Sequence, residues 1–454
     1  MLYHIDVSSI DRIQKHHSQI AHIIVIATRP DIIKQAPIYH ELKKRGELVI
    51  LCHTDQHFDS RHSGGFVEEF GLEVDIHLGI DGSLHNKYSQ MIDRFGEVIG
   101  FVQKCGKTPI PYIHGDTATA IAVGLGSILR RVACVHIEAG IRTLTPKAEV
   151  YGKFYNDFQQ DRFDWERYYQ TMQIRDNFEL GSLEPYPEQI NTRMAESASG
   201  FYAAPQELNK GFLISEGFLE SRIAVVGNSI ADSVIRGKEN AENARILRKF
   251  PQLMTNKYIP FLIHRRENTE DENRFRIIIG CIRKLLEDGF SVYLISLLGF
   301  EAALDCYGLR DEVENWIERY PDSFLKTLAI ACHQDMLAVM LHSPVVVTDS
   351  GSMQEELNIL GVPDVTVRFG SDRSETFLAG ANIPAPPIDS GFMAAIIKGS
   401  INHKGMESAP NLYGNDVAKK VVDEVLKHIH PVTGLFNTEE QRLNLNLTSS
   451  NKSY

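Results

Sequence analysis

Cysteine is scarce in this chain and never paired in sequence. Cys52, Cys105, Cys134, Cys281, Cys306 and Cys332 form no CxxC motif and no spacing used by cysteine metal sites. A disulfide framework and a cysteine zinc motif are excluded, and free thiols in apolar runs suit a reducing compartment, the cytoplasm. No run of about 18 apolar residues occurs, the length a membrane-spanning helix needs. The first residues carry Asp6, Asp11, His16 and His17 instead of the apolar core of a secretory signal. Positive charge is short: 47 Lys and Arg against 59 Asp and Glu leave a net charge of −12, so no general affinity for nucleic acid or an anionic membrane is expected. A GxGxxG motif is also missing, which argues against a nicotinamide dinucleotide.

What is present is a repeated strand–helix–strand pattern. With 454 residues the chain exceeds one ordinary core, and two domains are expected. Apolar runs at 22–27, 48–52, 110–113 and 133–135 predict strands, with helices over 118–131 and 91–103 and from Pro30 to about Arg45. The same order restarts at 223–226 and 259–263 and continues through 291–298, 324–328, 345–347 and 365–367. The fold class expected is α/β, with two Rossmann-like doubly wound domains facing a cleft. The boundaries predicted are an extension at 1–20, a first domain at 21–215, a second at 216–415, a helix and turn at 416–436, and a polar tail at 437–454. Residues 146–178 break the pattern. They carry Tyr151, Phe154, Tyr155, Phe158, Phe163, Trp165, Tyr168, Tyr169 and Phe178, too aromatic for a linker, and are expected to pack on the body of the protein or on a partner chain.

Two strand ends deliver carboxylates: His114-Gly115-Asp116-Thr117, and His136-Ile137-Glu138-Ala139-Gly140-Ile141-Arg142-Thr143. In a parallel sheet both fall on the edge where ligands bind, and two acids flanked by His and Arg point to proton transfer. Thr28-Arg29-Pro30-Asp31, with Lys34 beyond, opens a helix whose N-terminus favours an anion. His264-Arg265-Arg266 suits a diphosphate. Ser350-Gly351-Ser352 starts another helix, followed by Glu356, and Arg373 lies past the next strand end.

Together these stretches resemble the UDP-N-acetylglucosamine 2-epimerase family, whose fold is GT-B-like. The matching segments run in family order: ATRPDIIKQAP, TDQH, HGDT, HIEAGIRT, PEQIN, GNS, HRREN, TDSGSMQEE, GVP, DRSE and NLYGN. The resemblance implies a UDP-binding second domain and inversion of C2 in UDP-GlcNAc to give UDP-ManNAc, through elimination and re-addition of UDP. It implies Asp116, Glu138, Glu188 and His264 as catalytic residues. Arg29, Lys34, Ser350, Gly351, Ser352, Glu356 and Arg373 would bind the substrate. No metal or nicotinamide is expected for the reaction; a homodimer is, with a role in surface polysaccharide supply. The chain departs from the family at Asp31 for Glu, at Gly351-Ser352 for Gly-Gly, at Asp372-Arg373-Ser374-Glu375 for ERPE, and at Asn191-Thr192-Arg193, where the family has Asn-Arg. A hydrolysing epimerase, a GT-B glycosyltransferase and an inactive UDP-sugar-binding protein are the alternatives. Gln56 and His57 match a segment of the family linked to activation by a second UDP-GlcNAc.

Overall fold

The computed structural model describes residues 4–55, 65–255, 257–330 and 332–436. The Gln56–His57 pair and the polar tail lie outside them. The chain groups into two compact units: Met1–Gly140, Asn191–Val226 and Ala418–Tyr454 form one, Ile141–Ile190 and Gly227–Val417 the other.

The strands in chain order are β1 (His4–Ile5), β2 (Ile20–Ile26), β3 (Leu48–His53), β4 (Ile76–His77), β5 (Thr108–His114), β6 (Cys134–Ile137), β7 (Thr145–Pro146) and β8 (Phe178–Glu179). They continue with β9 (Ser199–Ala204), β10 (Ile223–Val225), β11 (Tyr258–Leu262), β12 (Ser291–Ser296), β13 (Phe324–Leu328), β14 (Val346–Thr348), β15 (Asp364–Thr366) and β16 (Asn382–Pro384). The first unit holds an eight-stranded sheet ordered β1-β4-β3-β2-β5-β6-β9-β10. All its pairings are parallel except that of β1 with β4. Strands buried on both faces read as near-continuous apolar runs, and β2 (IAHIIVI) and β3 (LVILCH) are buried almost throughout, His22 and His53 included. One face is covered by the helices Leu84–Lys104 and Ala118–Ile128, with Phe95, Val98 and Val123 set against Ile23, Val25 and Ile50.

The second unit is a six-stranded parallel sheet ordered β13-β12-β11-β14-β15-β16. In both sheets the order reverses beside the unit's first parallel strand, between β2 and β5 and between β11 and β14. Such reversal points open a crevice at the carboxyl ends of the strands, where doubly wound folds bind ligands.

Several expectations are corrected. Residues 4–20 are not a separate extension: β1 joins the first sheet, and Arg12 Nη2 reaches Asp75 at 2.6 Å. Strand β10 does not open the second domain but pairs with β9. The C-terminal helix Val417–His428 contributes to the first unit, where Asp423 meets Arg45 at 2.7 Å. The stretch 141–190 groups with the second unit rather than the first.

The aromatic insertion leaves through the short antiparallel pair β7–β8 and folds back as the helices Ala148–Gln159 and Trp165–Thr171. Phe158 and Phe163 place their rings 5.5 and 5.4 Å from Phe392 of the helix Ser390–Ser400. The hydroxyl of Tyr168 donates to Pro384 O, and that of Tyr151 to Phe369 O. Gly370 is required beside it, because a Cβ there would lie 2.4 Å from Thr145 Oγ1 and 2.6 Å from Leu144 O. The insertion therefore buttresses the segment that carries Arg373. Among the described residues no helix is long and apolar enough to cross a membrane.

Candidate active site

In the first unit, three elements converge on one buried ion cluster. After β2 the chain enters the helix Arg29–Lys44, and Asp31 Oδ2 accepts from the backbone N–H and the hydroxyl of Thr28. That cap fixes Asp31, whose Oδ1 lies 3.2 Å from His114 Nδ1 at the end of β5. The other ring nitrogen of His114, Nε2, meets Glu138 Oε2, and Lys34 Nζ reaches the same oxygen at 2.6 Å. Glu138 follows β6 with φ of 67°, a left-handed conformation that costs a non-glycine residue about 1 kcal/mol and marks a constrained position. Behind it, Gly140 has φ of 84°, and a Cβ there would lie 2.3 Å from Asn209 O.

Asp31, Lys34, His114 and Glu138 are all 5% exposed or less. Two carboxylates balance two cations when His114 is protonated. Burial opposes that charge, but Glu138 and Asp31 outweigh it, and the His114 pKa rises to about 9. His136 is the contrast: burial lowers its pKa, and its Nε2 lies 2.7 Å from Gly115 O. His136 is thus a structural neighbour, while His114 joins the charged cluster. Asp116 follows Gly115 and is half-buried; its carbonyl accepts from Asn191 Nδ2 at 2.9 Å. A fixed buried carboxylate in ionic contact with a protonated imidazole and an ammonium, with a second carboxylate two residues past the neighbouring strand end, is equipped for proton transfer.

In the second unit the organising group is Asp349, after β14. Its carboxylate accepts the backbone N–H groups of His264 and Arg265 and the amide of Asn268, and His264 Nδ1 lies 2.9 Å from Oδ1. Burial would raise its pKa, yet His264 and these donors hold it below the ordinary value. Ser350 caps the helix Gly351–Leu360, whose first-turn N–H groups are an anion site of the usual kind. Arg373 is buried, donating Nε to Glu355 at 2.6 Å and Nη1 to Asp372 at 2.7 Å. Asp372 also binds Arg368, and the two guanidiniums overcome burial to keep it ionised. Glu356 is buried with His333 Nε2 at 3.5 Å.

Three residues stand elsewhere than expected or in unexpected company. Glu188 belongs to the second unit, where it pairs with Arg265. Arg193 is turned to Glu216, 3.9 Å away, while Thr192 is fully buried, so Arg193 does not take the place of an arginine after Asn191. Arg29 stacks over Phe66 at 5.1 Å. Sequence reasoning missed Asp349 and Asp31 as organisers. Their signal was a carboxylate close behind a strand end: Asp349 directly after β14, and Asp31 in the first turn of the helix that follows β2.

The sequence pattern of the UDP-N-acetylglucosamine 2-epimerase family matches residues 40–151 and 180–427. The chain belongs to that family. The stretch left unmatched between the two blocks, 152–179, coincides with most of the aromatic insertion, so the epimerase carries it as an addition to the family pattern. The UDP-N-acetylglucosamine 2-epimerase of Methanocaldococcus jannaschii is 26% identical over 367 residues, covering 79% of this chain and 87% of the relative. That of Neisseria meningitidis is 26% identical over 420 residues, covering 89% and 98%. A crystal structure of the M. jannaschii enzyme with UDP-GlcNAc and UDP superposes with a TM-score of 0.72 at 24% identity, over 90% of this epimerase and 99% of that chain. At that identity the likeness speaks for the GT-B-like fold.

Proposed function

We propose that this epimerase inverts C2 of a UDP-N-acetylhexosamine, UDP-GlcNAc in the first instance, without hydrolysing it. The C2 proton passes to a carboxylate while the C1–O bond breaks and its electron pair leaves with the diphosphate. The resulting 2-acetamidoglucal is reprotonated on the opposite face as UDP adds back. The observation that carries this reading is the buried Lys34–Glu138–His114–Asp31 cluster at the switch point of the first sheet, in a chain of this family. Glu138 and Asp116 form the acid/base pair. The two cations on Glu138 hold it in place, and the charged His114 can return a proton to it.

The second unit takes the nucleotide. Ser350, Gly351 and Ser352 offer N–H donors and hydroxyls to the diphosphate, and Glu356 accepts from the ribose. Asp349 orients His264 toward the leaving group, whose growing charge needs a placed donor. Arg373 is pre-set by Glu355 and Asp372. Glu188, neutralised by Arg265, is the third carboxylate of the set. Arg29 and Lys34 complete the cations.

With Thr192 in place of an arginine, a modified N-acetyl sugar substituted at C3, C4 or C6 is the alternative substrate. A cytoplasmic homodimer feeding polysaccharide synthesis completes the reading; Cys52, Cys134 and Cys281 are buried free thiols, as a reducing compartment allows. The test is to incubate the pure enzyme with a panel of UDP-HexNAc sugars and resolve the products by proton NMR. A UDP-linked C2 epimer is expected. UDP with free sugar would assign a hydrolysing enzyme instead, and no turnover of any member would leave a binding protein.

A further inference from the structure

Ser350 and Arg373 sit on separate segments of the second unit, the start of the helix Gly351–Leu360 and the loop after β15. They nevertheless meet. A Cβ built on Gly351 would lie 3.5 Å from Arg373 Cζ, so the guanidinium flanks the first residue of that helix. One buried side chain links the two segments. Gln354 stands one helical turn after Ser350 and is 1% exposed. Its Nε2 donates to Ser350 O at 3.2 Å. Its Oε1 accepts the hydroxyl of Ser371 at 2.5 Å and the side-chain amide of Asn382, in β16, at 3.0 Å. Ser371 Oγ in turn accepts the backbone N–H of Arg373 at 2.9 Å.

This chain of bonds can run in one direction only. Ser350 O can only accept, so the NH₂ end of Gln354 faces it. The Arg373 backbone N–H can only donate, so the Ser371 hydroxyl accepts it and sends its own hydrogen to Gln354 Oε1. No donor or acceptor is used twice. A buried amide costs stability unless it is bonded, and a methionine would fill the same space without that cost. What the amide adds is therefore placement: one end holds the main chain at Ser350, the other the main chain at Arg373. Ser371 has a second, independent hold, because it exchanges two 3.0 Å backbone bonds with Leu144. Loss of the Gln354 link should loosen the Arg373 loop and leave the fold intact.

We propose that Gln354 is a positioning residue for the diphosphate, setting the helix start at Ser350 and the loop of Arg373 so that both engage one diphosphate together. Buried and with its amide engaged on both sides, it acts through those two groups and not on the substrate. This role rests on the reading of Ser350 and Arg373 as substrate ligands, which the same experiment tests separately.

The full-length wild type, Gln354→Met and Ser371→Ala are compared for binding of UDP by calorimetry and of uridine by ligand-observed NMR, with circular dichroism to check folding. Wild type should bind UDP at least about a hundredfold tighter than uridine, since the diphosphate adds charge-assisted hydrogen bonds. In Gln354→Met that ratio should fall by about tenfold, with uridine affinity unchanged. Ser371→Ala leaves the glutamine in place but cuts its link to Arg373, and should lower the ratio similarly; the double variant should lose little more than either single one. If Gln354→Met does not fold, Ser371→Ala decides. A ratio at the wild-type value in the folded variants, or UDP and uridine weakened in equal proportion, would overturn the positioning role and leave the ligand reading standing. A wild type that binds UDP no tighter than uridine would overturn both.

Discussion

Replacing His114 with Gln probes the buried cluster most sharply. The glutamine keeps hydrogen-bonding capacity and removes the charge. In the folded chain the imidazole pKa stands at about 9 against a reference of 6.5. That rise of about 2.5 units, at ~1.4 kcal/mol per unit, corresponds to about 3 kcal/mol, and full burial leaves little solvent screening to reduce it. The sign follows from linkage. A group whose folded pKa is raised stabilises fully below its unfolded pKa and loses that contribution as pH climbs through the folded one. The excess stability of wild type over His114→Gln should therefore be largest near about pH 5.5 and shrink by about 3 kcal/mol by about pH 10. Urea unfolding of the two proteins, followed by circular dichroism at both pH values, measures the difference. NMR of histidine-labelled protein, with His114→Gln assigning the signal, gives the midpoint directly. A midpoint at or below the ordinary histidine value, or a stability difference independent of pH, would refute the charged cluster.

Other consequences are as direct. Lys34→Met strands the Glu138 charge and should cost about 3–5 kcal/mol. It should also move the His114 midpoint further up, since Lys34 now holds it down; a downward move contradicts the cluster. Asp364 in β15 is buried, neither oxygen has a partner among the described residues, and burial pushes its pKa well above the usual carboxylate range. A carboxyl raised in this way weakens the fold as pH rises above its unfolded pKa, so Asp364→Val should raise the melting temperature, by the equivalent of about 1–3 kcal/mol near neutrality and less in acid. A lower melting temperature at neutral pH would count against that reading. Gly370→Ala should force the segment before Arg373 off Leu144 and Thr145 and weaken UDP binding by about tenfold or more in calorimetry; unchanged binding would show that the buttress does not set the site.

Much of this was legible in the sequence for a physical reason. Strands buried on both faces are apolar runs, and in parallel sheets their carboxyl ends are where the polar motifs must emerge, so His114, Asp116, Glu138, His264 and Ser350 could be placed without coordinates. Which sheet a strand joins is set by non-local pairing, and β10 was misplaced because its three residues fit either sheet locally. Glu188 came from the family resemblance alone, and its partner Arg265 is remote in sequence. The insertion advertised its aromatics without saying what they cover; Phe392 lies more than two hundred residues away.

The proposed reaction exchanges the C2 proton through Glu138 during UDP elimination. Incubating the enzyme with UDP-GlcNAc in deuterated water and following C2 by NMR tests it most directly. Deuterium is expected at C2 of both UDP-GlcNAc and UDP-ManNAc, with that exchange lost in Glu138→Gln. Epimerisation without deuterium uptake, or exchange at the wild-type rate in Glu138→Gln, would contradict it.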